Sequence, residues 1–435
     1  MALQEYTVKY GRAEQSIMLE TEQVLQVIDS KPERPITDVR QAVFDALQNP
    51  VGSKPLSELV QPGDKVCILV SDVTRIWTKT CEYLPPVVEA LNNRGISDDD
   101  IFVIVATGTH RSNTDEEIKL ILGAELAQRL KVYAHDAYNK NANVYLGTTS
   151  RGTPVYLDKR AVEADKVILT GGVTPHLFAG FGGGRKSVMP GIAGVETINH
   201  NHVLALSDTQ GGGVNEETCL AKVEGNRVSE DMCEVCAFLN PCFLVNSIMD
   251  AEGNFAKITA GHWYEAWHAG TDFVMRQQGV ATRGKSDIVI TSGGGYPMDM
   301  NLYQGMKAYI PAAMSLKDKG VLIAVLECED IGEPPVFFDA FHYDDLQVME
   351  QAVRDNFSIP FYVAFYTCCL ARRFTIILVT KPENFNKAQK TGAVPTASLE
   401  EAMVLAQDIL AKQGKADYTV NIFPHGFTTI PLLAD

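Results

Sequence analysis

The chain has 435 residues, more than one ordinary hydrophobic core holds, and two domains are expected. Its hydrophobic fraction of 46% and charged fraction of 21% are those of a globular enzyme. A formal net charge of −16 argues against a general nucleic-acid binder or a protein that coats anionic membranes, although it leaves room for a local basic pocket.

The opening residues, MALQEYTVKYGRAEQ, lack the basic start and apolar run of a signal peptide. No apolar stretch approaches the roughly 18 residues of a membrane span. Nine cysteines are scattered along the chain, and no second CxxC joins Cys233 and Cys236 in a zinc set. Reduced thiols and a cytoplasmic location are therefore expected.

Apolar runs rich in β-branched residues recur along the chain: KVCILVS (65–71), IFVIVAT (101–107), KVILTGG (166–172), DIVITSGGG (287–295), GVLIAVLE (320–327) and FTIILVT (374–380). Segments with helical spacing separate them, such as 113–130, where Asn113 or Thr114 can cap the start. Such alternation predicts an α/β fold with mostly parallel sheets flanked by helices. The tract 256–284 reads mainly as helix, so the first domain is expected over 1–270 and the second over 271–410. The tail, 411–435, reads as a strand free to return to either domain, with the first preferred.

Chemistry collects where these strands end. KVCILVS leads to Asp72 and Arg75, IFVIVAT to His110, KVILTGG to His176, and DIVITSGGG to a segment ending at Lys307. Ligands of open parallel sheets bind beyond the carboxyl ends of strands, so four such deliveries point to a site. Two imidazoles in similar positions suit exchangeable acid and base roles. His135, His262, His268, His342 and His425 carry no such signal and read as ordinary polar residues.

The segment GFGGGRKSVMPG (180–191) resembles a phosphate-binding P-loop at first sight. Arg185 stands where that loop requires glycine, and Pro190 interrupts the helix that should begin at Lys186. A triphosphate wrap is therefore rejected, though glycine amides could cradle a monophosphate. Downstream, His200 and His202 form a His-x-His pair, a weak metal signal alone.

Together, DVTR (72–75), ATGTHR (106–111), PHLFAGFGGGRKSVMPGIAGVETINHNH (175–202) and NLYQGMK (301–307) resemble the nickel-pincer-dependent lactate racemase family. The resemblance implies two α/β domains with the active site in the cleft between them. It implies an isomerase that racemises or epimerises a small 2-hydroxy acid, with lactate as the default substrate. The implied cofactor is a nickel-pincer nucleotide, a pyridinium thioamide/thiocarboxylate mononucleotide covalently attached at Lys186, with His202 as the protein ligand to nickel. His110 and His176 match the histidines that act on the substrate hydroxyl during proton-coupled hydride transfer. Asp72, Arg75, Gly182, Gly183, Tyr303, Gln304 and Lys307 match pocket residues, Arg75 and Lys307 being the groups suited to an anion. Cofactor-biosynthesis proteins are implied partners.

Three other readings stand beside it. A larger 2-hydroxy acid (malate, an aromatic acid or a sugar acid) would use the same motifs, and Trp77 could shape its pocket. A phosphoryl-transfer enzyme would need the triphosphate wrap that Arg185 and Pro190 oppose. A nickel-cofactor carrier would have no use for an acid–base pair.

Overall fold

The run KVCILVS has no polar face to offer water, and it forms the strand Val66–Ser71, buried at every position but the last. In the computed structural model, which describes residues 2–433, parallel strands Ile101–Ala106 and Lys166–Gly172 flank it. Six strands follow in the spatial order Phe255–Gly261, Phe243–Met249, Lys166–Gly172, Val66–Ser71, Ile101–Ala106 and Lys131–Ala134. All neighbours are parallel except the first pair. Helices Val39–Gln48 and Thr80–Asn93 bury Val43, Leu47, Leu84, Val87 and Leu91 in one core with Val66, Ile68 and Val70. Each such side chain contributes about 1.5–3 kcal/mol relative to exposure.

A second six-stranded sheet is parallel throughout, in the order Val394–Thr396, Thr375–Val379, Leu316–Val325, Ser286–Ser292, Val420–Phe423 and Val24–Val27. Helix Leu399–Lys412 and the hairpin Leu3–Tyr10/Ala13–Glu20 share its core through Leu399, Met403, Val8, Ile17 and Leu19. Alternation holds in the hairpin, where Ile17 and Leu19 are buried and Met18 faces solvent.

The two sheets centre two units, one of residues 32–205 and 217–276, the other of residues 2–31, 206–216 and 277–433. A first domain running unbroken over 1–270 is thereby corrected. The N-terminal segment belongs with the second sheet because Val24–Val27 forms its edge against Val420–Phe423. The tail stays in that unit too, since Ile430–Leu432 pairs with Gly279–Ala281. The helical reading of 256–284 is also corrected. A turn in which Asp250 accepts from the Asn254 amide folds Phe255–Gly261 back as a strand, and helix is confined to Glu265–Gln278. Thr114 does cap a helix, with Glu117 completing a capping box, but the helix stops at Gly123, whose φ of +82° lies outside the helical region.

Each sheet has a topological switch. From Val66–Ser71 the chain builds outward on one side to Lys131–Ala134, then places Lys166–Gly172 on the other. From Ser286–Ser292 it builds to Val394–Thr396, then places Val420–Phe423 on the other side. Crevices form beyond the carboxyl ends of strands at such points. No helix among the described residues is long and apolar enough to cross a membrane.

Candidate active site

At the first switch, Asp72 follows Val66–Ser71 directly and caps the short 3₁₀ turn Val73–Thr78, accepting from the Thr74 amide at 3.1 Å and its hydroxyl at 2.5 Å. Its other carboxylate oxygen lies 2.6 Å from His110 Nδ1. Burial would raise this carboxyl, but bonds from His110 and Thr74 and the charge of Arg75 outweigh it and hold it below the usual range. A buried carboxylate thus accepts a hydrogen bond from Nδ1–H of a half-exposed imidazole (48% side-chain exposure), leaving the lone pair on Nε2. Asp72 was expected to line the pocket; in the structure it orients His110. No local pattern joins residues 38 positions apart, so the sequence carried no sign of this pairing.

On the other side of Val66–Ser71, His176 follows Lys166–Gly172 in a short pairing of Pro175–His176 with Gly180–Phe181. Its Nδ1 accepts from the Ala179 amide at 3.2 Å, and its Nε2 lies 2.9 Å from Lys186 Nζ. The Ala179 contact holds the ring with Nε2 turned toward the lysine nitrogen. Phe178, fully buried and not anticipated from the sequence, stands edge-on to His176 at 4.7 Å and to His202 at 5.3 Å.

His202 lies on helix Val195–Val203, buried, with Nδ1 2.9 Å from the Ile198 carbonyl. That bond fixes the proton on Nδ1 and leaves the Nε2 lone pair. Burial, reinforced by the charge of Lys186, pushes this imidazole down to about 3, so it is neutral near pH 7. A buried neutral imidazole beside Lys186 fits one protein ligand to a metal. His200, two positions earlier on the same helix, is exposed, so the His-x-His pair does not act jointly. Among the described residues, no group of three or more His, Cys, Asp or Glu side chains forms a metal cage.

The glycines allow close packing of this segment. The Gly182 amide donates to the Thr174 carbonyl at 2.7 Å and its own carbonyl accepts from Trp267 Nε1 at 2.9 Å. A Cβ on Gly183 would come within 2.9 Å of Asn246 Oδ1, and one on Gly184 within 2.5 Å of the Trp267 ring. Gly183 and Gly184 have φ of +70° and +52°. These residues let the Lys186 segment lie against Trp267 and Asn246. Arg185, which breaks the P-loop pattern, is fully buried with its guanidinium 3.8 Å from the Trp267 ring centre and bonded to Ala179 and Ser229. Gly184→Ala is expected to cost on the order of 2–4 kcal/mol, from left-handed strain plus overpacking, read as a lower urea midpoint with unchanged slope.

Arg75 is exposed on the turn after Asp72, and the Trp77 ring lies 3.0 Å from where a Cβ on Gly172 would project, over the end of that strand. Tyr303, Gln304 and Lys307 lie in the other unit, after Ser286–Ser292 at the second switch. Lys307 Nζ donates to Gln304 Oε1 at 2.6 Å. Of the remaining histidines, His135 is buried between Asp158 and the Ala193 carbonyl, a structural role, and His425 bonds Asp29 at 3.0 Å.

Models of the lactate racemase N-terminal and C-terminal domains match residues 10–213 and 281–430. A lactate racemase from Thermoanaerobacterium thermosaccharolyticum is 30% identical over 430 residues, covering 97% of this chain and 98% of that one. The chain belongs to the lactate racemase family. It is therefore an isomerase by family, with an α/β fold of two domains. A Lactiplantibacillus plantarum lactate racemase is 31% identical over 292 residues, 67% of this chain and 66% of the relative. The solved lactate racemase apoprotein from T. thermosaccharolyticum superposes with a TM-score of 0.88 at 30% identity, covering 99% of this chain and all of that one. A Thermotoga maritima protein, 16% identical with a TM-score of 0.61 over 93% of this chain and 100% of its own, shares the fold alone.

Proposed function

We propose that this lactate racemase family member interconverts the enantiomers of a small 2-hydroxy acid, lactate by default, with His110 and His176 as its acid–base pair. The observation that carries this reading is their placement: each follows a strand flanking Val66–Ser71, one oriented by Asp72 and the other set against Lys186. His110 Nε2 takes the hydroxyl proton of one enantiomer, and Asp72 steadies the imidazolium so formed. His176 serves the enantiomer whose hydroxyl projects the other way. Arg75 and Lys307 are each read as a cationic group suited to the substrate carboxylate.

Lys186 would carry the nickel-pincer nucleotide and His202 would bind its nickel; the neutral, buried His202 imidazole is the feature that fits. When bound, that group supplies the hydride acceptor. Delivery of the cofactor by biosynthesis proteins, and a cytoplasmic setting, belong to the same reading.

Incubating cofactor-loaded protein with single enantiomers of lactate, malate, phenyllactate and a sugar acid, followed by chiral chromatography, tests it. Conversion of both enantiomers of at least one acid, fastest for lactate, is expected. Inertness across the set, with tight ATP binding, would return the glycine-rich segment to a nucleotide role.

A further inference from the structure

We infer that Phe427 positions Lys307, so that a residue in the C-terminal turn sets where the substrate carboxylate is held. Lys307 Nζ lies 5.6 Å from the centre of the Tyr303 ring and 5.5 Å from that of Phe427, while donating to Gln304 Oε1. An aromatic face attracts an ammonium through its quadrupole and brings no counter-charge, so two faces fix the nitrogen without neutralising it. That is the requirement for a cation meant to hold an anion.

Topology explains why a residue 120 positions beyond Lys307 reaches it. Lys307 follows Ser286–Ser292 and Phe427 follows Val420–Phe423, and these strands are adjacent and parallel across the second switch. The turn carrying Phe427 is fastened on several sides. The Gly426 amide donates to the Ser292 carbonyl at 2.8 Å, the Thr429 hydroxyl to the His425 carbonyl at 2.8 Å, and His425 Nδ1 lies 3.0 Å from Asp29. A Cβ on Gly426 would stand 2.3 Å from Thr291 Oγ1, so only glycine brings the turn this close to the strand end. With its backbone so held, the half-buried Phe427 ring has few places to go.

The inference rests on the reading of Lys307 as the carboxylate anchor, and two measurements separate the two. Protein labelled with ¹³C at lysine Cε, with the Lys307 signal assigned by its loss in Lys307→Arg, needs no cofactor. Ring currents should displace that signal upfield; Phe427→Leu, similar in bulk but without a π-face, should return it toward the other lysines, and Phe427→Tyr should keep it displaced. In loaded enzyme, Phe427→Leu should raise KM by roughly two- to fivefold with kcat little changed, and Phe427→Tyr should restore it. A Lys307 signal indifferent to Phe427→Leu overturns the inference. A signal that moves while KM stays put in both Phe427→Leu and Lys307→Met upholds the clamp and removes Lys307 from substrate binding instead.

Discussion

Loaded His110→Ala is expected to racemise roughly 10²–10⁴-fold more slowly than wild type in both directions, with nickel retained. Both directions suffer because the group that takes the hydroxyl proton from one enantiomer must give it back when that same enantiomer is the product. Asp72→Asn should approach the same loss, since the amide can neither stabilise the imidazolium nor enforce the Nδ1 proton. Asp72 has a depressed folded pKa, so its stabilising contribution is fully present above the unfolded value near 3.8 and is lost as pH falls through the folded value. It therefore stays ionised through the neutral range, and an acid limb in the rate profile there belongs to another group. Kinetics by chiral chromatography, with nickel content measured alongside, decide the matter. Full activity in Asp72→Asn would show that the 2.6 Å contact with His110 has no part in the reaction.

Lys186→Ala is expected to abolish activity together with any covalent adduct in the intact mass of loaded protein. The Lys186 nitrogen lies 2.9 Å from His176 Nε2, and the segment beneath is locked by Trp267 and Asn246. Lys186→Arg keeps a cation there but cannot form the same linkage, so it should lose adduct and turnover alike. An adduct that survives Lys186→Ala would place the attachment elsewhere.

Much of this site was legible in the sequence because function in parallel sheets gathers at strand ends, and DVTR, ATGTHR and VTPH each directly follow an apolar run. The helix cap at Thr114 was legible for a similar local reason. What was hidden depends on partners distant in the chain. Val24–Val27 has no local mark of its sheet, and its pairing with Val420–Phe423 links opposite ends of the chain. A glycine does not reveal in the sequence what lies opposite; Asn246 stands against Gly183 and Trp267 against Gly184. Phe178 and Phe427 likewise look like any core aromatic until the cations and imidazoles beside them are seen.

The most direct test follows the hydrogen on C2. Enantiopure lactate deuterated at C2 is racemised in ordinary water by loaded wild-type protein, and the inverted product is analysed for deuterium. Hydride transfer and return, with the histidines handling only the hydroxyl proton, predicts that deuterium stays on C2 and that turnover is slower than with protium. Washout of deuterium into solvent would mean that a protein base removes C2–H as a proton, which contradicts the roles assigned to His110 and His176.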